Sequence, residues 1–193
     1  MTPADRKDQI LEAAQELLQT QGFAGFSYSD LSARLGIAKP SIHHHFATKE
    51  ALGLALIERY GAMVDQLAEE FAKVGDSPAA QLRAFLAYGE QECLDQEHAI
   101  CPGGALHSDY EVFPESMQAA TRALSERMHA WFADLLGRGR ERGQFHFEGT
   151  PEEEAWAVMS MLQGARQHSR THGPEVWHTV VRQIERSLLV VST

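Results

Sequence analysis

The chain has 193 residues, 44% of them hydrophobic, and a formal net charge of −10 from 17 basic and 27 acidic side chains. That length suits one large domain or a small head on a larger body, and the apolar content is enough for a buried core. No apolar run approaches the ~20 residues of a membrane span and the N-terminus lacks a charged-then-apolar signal pattern, so the expectation is a soluble cytoplasmic protein with no membrane partner. The two cysteines, Cys93 and Cys101, make no disulfide framework and do not stand at zinc-ligand spacing.

Helical signals run the length of the chain. Thr2 and Pro3 open a first helix in which Ile10, Leu11, Ala14, Leu17 and Leu18 repeat at the spacing of one buried stripe, and Gly22 ends it. Ser27 is placed to cap a second helix, with Asp30 answering from inside its first turn; Leu31 and Leu35 give it one apolar face. Gly36 suits the left-handed position just past its end, and Ile37 fills the angle before a third helix. Pro40 fits the first turn of that helix, and Ile42 and Phe46 face inward. Thr48 caps a long fourth helix to about Lys73, with Leu52, Leu56, Tyr60 and Met63 inward. Gly75-Asp76-Ser77-Pro78 breaks the chain and starts a fifth helix to about Glu97, with Leu82, Phe85, Leu86 and Cys93 apolar. Cys101-Pro102-Gly103-Gly104 leads into a short sixth helix, and Pro114 opens a long seventh that ends near Gly143. Thr150-Pro151-Glu152-Glu153 is a capping box with proline in the first turn, opening an eighth helix to about Thr171. Gly173-Pro174 starts a ninth that reaches almost to the end. There is no sustained alternating pattern, internal repeat or low-complexity tail. The fold class is therefore all-α with about nine helices: a three-helix head at 1–47 with a helix-turn-helix at about 27–46, then a larger body at 48–193.

The third helix leaves Lys39, Ser41, His43, His44 and His45 outside, polar and basic where core residues would stand. This pattern points to double-stranded DNA. Lys39, Pro40, Ser41, His43 and His44 are expected to face the major groove. Ser27, Arg34 and Lys49 are expected to hold phosphates, and His45 either contacts the backbone or makes a structural hydrogen bond. The acidic total is not an obstacle once divided. Residues 1–50 hold five Lys/Arg against six Asp/Glu, a balance of −1, and residues 51–193 hold twelve against twenty-one, a balance of −9. Phosphate contacts need local cations rather than a basic whole. Adjacent helical residues point about 100° apart, so the three histidines do not converge on a metal, and no cofactor is implied.

Gly36-Ile37-Ala38, then Ile42-His43-His44-His45-Phe46, then Lys49-Glu50-Ala51-Leu52 resemble the helix-turn-helix of the TetR family of bacterial transcription repressors. The family pattern is roughly Gly-Val-Ser-x-x-x-Leu-Tyr-x-His-Phe, two residues, then Lys-Glu-x-Leu. His43 stands where the family usually has a tyrosine that packs on the DNA backbone; an imidazole there offers a shorter version of that contact or a base-edge contact. The resemblance implies that the last two helices form a four-helix interface with a symmetry mate. The residues agree. Trp156, Met159 and Leu162 stripe the eighth helix and Val176, Val180, Ile184, Leu188 and Val191 the ninth, while Trp177, Val181, Leu189 and Val190 add more apolar surface than one face uses. The expected homodimer interface is Trp156, Met159, Leu162, Trp177, Val180, Val181, Ile184, Leu188 and Val191. Two heads related by a two-fold axis read a palindromic operator.

A ligand in the body that tilts the fourth helix would change the spacing of the heads. Tyr60, Met63, Phe85, Tyr88, Met117, Met128 and Trp131 are large, adaptable candidates to line its site, and Cys93, Cys101 and His107 add chemistry. The expected function is a ligand-responsive transcriptional regulator, best read as a repressor, released from DNA by a small and largely apolar effector. Two alternatives share the fold. Cys101, before Pro102 at a helix cap where the dipole favours a thiolate, could sense electrophiles or oxidants, as some members of the family do; or the protein binds DNA with no effector. Cys101 and His107, six apart, are the one pair resembling a nucleophile and base. No Gly-x-Ser-x-Gly, phosphate-binding glycine loop or paired metal motif accompanies them, so the expectation is no enzyme.

Overall fold

The computed structural model describes residues 3–95 and 99–190. The helices follow the expected order: α1 (Pro3–Gln21), α2 (Tyr28–Leu35), α3 (Lys39–His45), α4 (Lys49–Lys73), α5 (Pro78–Asp95), α6 (Pro102–Ser108), α7 (Glu115–Glu141), α8 (Pro151–His172) and α9 (Glu175–Leu188). Thr2, the expected end of α5 at Glu97, and Val191 lie outside the described residues. A 3-10 turn at Tyr110–Val112 and one antiparallel bridge between Phe145 and Leu189 complete the described elements. Neither has a signal in the sequence. No helix among the described residues is long and apolar enough to cross a membrane.

The chain divides into two compact units, residues 1–63 with 99–124, and residues 64–98 with 125–193. The first is larger than the expected head of 1–47: it takes in the start of α4, all of α6 and the start of α7. Ile10, Leu18, Leu31, Ile42, Leu52 and Met117 are fully buried there, each aliphatic side chain contributing about 1.5–3 kcal/mol. Phe23 sits edge-on to Phe26 at 5.7 Å and to Phe113 at 5.5 Å. At Gly53 a Cβ would fall 2.4 Å from Met117 Cε and 2.8 Å from Phe23 Cζ, so α4 and α7 approach closely only because this residue is glycine.

Two polar links fasten the flanks of α6 to α1 and to the turn after it. The buried Gln19 side chain donates to the Ile100 carbonyl at 3.0 Å, and the Ile100 amide donates back to the Gln19 carbonyl at 3.1 Å. The Asp109 carboxylate accepts from the Ala24 amide at 3.1 Å.

In the second unit, Leu82, Leu86, Phe132, Leu135, Leu136, Val158, Ile184 and Leu188 lie at the centre of a core shared by α5, α7, α8 and α9. The Trp177 indole lies directly on Gly89 of α5, where a Cβ would be 2.3 Å from Cζ2. The segment after α7 closes on the end of α9, with the His146 amide donating to the Leu188 carbonyl at 2.8 Å.

Candidate nucleic-acid interface

The helix-turn-helix is built as its sequence dictates. Ser27 is extended (φ −131°, ψ 173°), its hydroxyl accepts from the Ser29 amide at 3.1 Å, and the Asp30 carboxylate accepts from the Ser27 amide and hydroxyl, each at 2.7 Å. Those bonds hold the Asp30 carboxyl below the usual carboxylate range. Gly36 ends α2 at φ 63°, the left-handed region an L side chain adopts only at a cost. The turn is braced by a reciprocal pair with no sequence signal: the Ser32 hydroxyl donates to the Ile37 carbonyl at 2.6 Å, and the Ile37 amide donates to the Ser32 carbonyl at 3.2 Å. Pro40 lies in the first turn of α3, and Ile42 and Phe46 are buried.

With its inner face anchored, α3 leaves Lys39, Pro40, His43 and His44 exposed, and Ser41 and His45 half-buried. The His44 and His45 rings lie edge-on at 5.3 Å. Ser27 is exposed but committed to its cap. Arg34 pairs with Glu16, both half-exposed; such a surface pair is worth little in water and can be exchanged for a phosphate.

Lys49 departs from expectation. Its ammonium donates to the Phe23 carbonyl at 2.6 Å and to the Phe26 carbonyl, and stands 4.7 Å and 4.8 Å from the centres of those rings. Burial pushes its pKa down, against the pull of Asp109 and Asp30. A lysine so placed fastens the α1–α2 turn from beneath rather than reaching a phosphate. The physical reason is local: two carbonyls left over after α1 need a donor, and Lys49, in the first turn of α4, supplies it.

Tyr28 was not legible as a site residue. Its ring packs against His43 at 4.7 Å, and its hydroxyl lies 2.9 Å from the Phe46 carbonyl and 2.6 Å from the Thr48 carbonyl, sharing one proton between them. Burial raises its pKa. It fixes both the exit of α3 and the ring of His43.

The effector candidates divide between the two units. In the first, Tyr60 and Met117 are buried and Met63 is half-buried. Gly103 lies against the Tyr60 ring. The Cys101 sulfur caps α6 by accepting from the Gly104 amide at 3.2 Å, and exposed His107 places Nδ1 2.8 Å from the Gly103 carbonyl. In the second unit, Phe85, Tyr88 and Trp131 join Phe71 and Phe132 in one aromatic cluster, with Phe85 5.7 Å from Trp131 and 5.0 Å from Phe132, and Phe71 6.2 Å from Tyr88. Met128 is half-buried, and Cys93 is buried, its thiol pushed up by burial against the pull of Arg166.

The expected dimer residues also divide. Leu162, Trp177, Ile184 and Leu188 are buried in the core of their own unit, where their side chains are covered by their own chain. Trp177, 4% exposed, is the clearest case: Gly89 makes room for it. What α8 and α9 leave outside is Trp156, 48% exposed and stacked on His129 at 4.2 Å, with Met159, Val180 and Val181 half-buried. Beside them is an open depression of about 370 Å³ lined by Met161, Thr179, Val180, Arg182, Gln183 and Arg186.

Residues 10–56 match the family model described as bacterial regulatory proteins, tetR family. The HTH-type transcriptional repressor NemR of Escherichia coli (strain K12) is 27% identical over 168 residues, 85% of this chain and 83% of that protein. A TetR-family transcriptional regulator from Agrobacterium tumefaciens has a crystal structure that superposes with a TM-score of 0.93 at 30% identity, over 98% of this chain and all of that one. The reduced form of E. coli NemR superposes with a TM-score of 0.80 at 24% identity, over 97% of this chain and 99% of that one, a likeness of fold.

Proposed function

The chain belongs to the TetR family of ligand-responsive transcriptional regulators, and we propose that it acts in the cytoplasm as a homodimeric repressor. It binds a palindromic operator through α3 and is released by a small, largely apolar effector. One observation carries this reading: a seven-residue helix with a polar and basic outer face, held by Ile42, Phe46, Ser32 and Tyr28 from behind. Lys39, Pro40, Ser41, His43 and His44 face the groove. Arg34, freed from Glu16, holds a phosphate, Ser27 orients α2, and Lys49 supports the head from within.

Release follows from the way α6 is fastened. Gln19–Ile100 and Ala24–Asp109 tie both flanks of α6 to α1 and the turn after it. An effector that displaces α6 or α4 therefore moves the reading head with it, and a shift of ~1.4 kcal/mol between states changes operator occupancy about tenfold. Dimerisation uses the outer face of α8 and α9 around Trp156, Met159, Val180 and Val181.

A second reading has its own observation, the Cys101 sulfur at the cap of α6. A modified sulfur would lose that bond and loosen the same helix. The test is operator binding by wild type and Cys101→Ser with panels of inert aromatic compounds and of electrophiles. Release of both proteins by inert compounds supports the non-covalent effector. Release of wild type alone by electrophiles supports the thiol. A threefold change or less with every compound, under about 0.7 kcal/mol of coupling, leaves a DNA-binding protein without an effector among these classes.

A further inference from the structure

We propose that Thr121 is the polar anchor of the effector site: its hydroxyl donates to the carbonyl oxygen of an uncharged, largely apolar molecule held between α7 and α4. The inference rests on the effector-release reading and supplies the residue and the ligand chemistry which that reading leaves open.

Thr121 stands in a buried stripe of α7, itself 2% exposed, between Met117 at 0% and Leu124 at 5%. Helical Ser and Thr side chains commonly satisfy their hydroxyl on the carbonyl one turn back. Thr20, Ser108, Ser169 and Thr179 do so in this chain, at 2.7, 3.0, 2.8 and 2.9 Å from the Glu16, Gly104, Ala165 and Glu175 carbonyls. Thr121 does not: its Oγ1 is buried and meets no hydrogen-bond partner among the described residues. A buried hydroxyl left unmet is destabilising, and it is uncommon in a folded chain. Its neighbours on α4 give it no relief. Ser116 donates to Glu50 and Met117 lies against Gly53, so one turn further along α7 Thr121 comes level with Ile57 and Tyr60, both buried. Gly103 of α6 lies against the Tyr60 ring, so a ligand held here borders the helix whose displacement moves the reading head.

The surroundings of the hydroxyl narrow the ligand. A carbonyl oxygen accepts from Thr121 and has no hydrogen of its own left unmet, whereas a ligand hydroxyl or N–H would need a further acceptor among apolar side chains. A charged group would need a buried counter-charge. Among the described residues the buried charged side chain is Arg166, in the second unit, and the other buried polar side chain of the first unit, Gln19, is committed to the Ile100 carbonyl. Met117 is the side chain that makes room. It is unbranched and adaptable, and its Cε fills the space over Gly53. A ligand that displaces it loosens the close approach of α4 to α7.

The experiment compares wild type with Thr121→Val, which keeps the shape and removes the hydroxyl, and with Thr121→Ser, which keeps the hydroxyl. Without ligand, Thr121→Val is expected to melt roughly 2–4 °C above wild type, because the group it removes is unmet. A melting temperature unchanged or lowered would mean that the hydroxyl already has a partner, and would overturn the proposal. The probes are two pairs, acetophenone with ethylbenzene and cyclohexanone with cyclohexane, each differing by one carbonyl, with affinity read from the concentration dependence of the melting temperature. Wild type and Thr121→Ser are expected to bind at least one ketone about three- to tenfold more tightly than its hydrocarbon, the effect of one neutral hydrogen bond, and Thr121→Val to bind the two alike. Ketones that bind wild type no better than their hydrocarbons overturn the proposal, as does a preference that survives in Thr121→Val. Binding to a duplex selected from a random-sequence library separates the anchor from the reading it rests on. Ketone binding that depends on Thr121 but leaves affinity for that duplex unchanged would keep the anchor and remove release by an effector. Equal release of wild type and Thr121→Val would remove the anchor and keep release.

Discussion

Replacing Lys49 with methionine keeps the aliphatic stem and removes only the ammonium. In the folded chain that ammonium makes two hydrogen bonds, to the Phe23 and Phe26 carbonyls, and faces both rings. A hydrogen bond to a charged group contributes about 1.5–3 kcal/mol net, and a half-exposed cation–π contact about 0.5–1 kcal/mol. Taking the low end for both bonds and both ring contacts because water reaches the site, the loss is about 4 kcal/mol, a sizeable part of the ~5–15 kcal/mol that holds a domain together. Urea unfolding followed by circular dichroism should show the midpoint falling accordingly. The second assay is the salt dependence of operator binding. Each phosphate contact adds about 0.9 to the slope of log K against log salt, so an inward Lys49 adds nothing and Lys49→Met should leave the slope as in wild type. Arg34→Met is the contrast, with stability nearly unchanged because its pair with Glu16 is solvent-exposed, and the slope reduced by about 0.9 per protomer. Unchanged stability in Lys49→Met together with a reduced slope would refute the inward placement and restore Lys49 to the phosphates.

Asp30→Asn should make the head less sensitive to acid. The folded carboxyl of Asp30 titrates below its unfolded value, so its stabilisation is present above the unfolded pKa and is lost as pH falls through the folded one. Between about pH 5 and about pH 3, wild type should lose more stability than the variant, read from unfolding midpoints. Gly89→Ala sets a Cβ 2.3 Å from a rigid indole; overpacking there should cost about 1–3 kcal/mol, seen as a lower urea midpoint, with operator affinity per folded dimer retained. Gly36→Ala meets no neighbour but must hold a left-handed backbone, which should cost about 1 kcal/mol in the same assay.

Most of the fold was legible because its signals are local. Ser27 with Asp30 and Thr150 with Glu153 are capping boxes written within four residues, and Gly36 and Pro40 mark the turn by their own backbone restrictions. The outer face of α3 was legible for the same reason, since Ile42 and Phe46 declare the inner face. What escaped depends on residues far apart in the chain. Lys49 reads as a phosphate ligand from its neighbours in sequence, whereas the Phe23 and Phe26 carbonyls that meet it stand twenty-odd positions away. Tyr28 had no periodic partner that would place it on His43. The ninth helix carries two apolar stripes, but periodicity does not say which is filled by the chain itself, and Gly89 under Trp177 decides that. The inclusion of α6 in the same unit as the reading head rests on Gln19 and Ile100, 81 positions apart.

The most direct test is selection of bound duplexes from a random-sequence library by the wild-type chain at about 0.15 M salt, where non-specific binding is weak. The expected result is enrichment of a two-fold symmetric motif whose half-sites are centred one helical turn, ~10 base pairs, or a multiple of it apart, as two α3 helices on one dimer require. Recovery of no sequence preference, or of a motif without two-fold symmetry, would contradict a homodimeric operator-binding repressor.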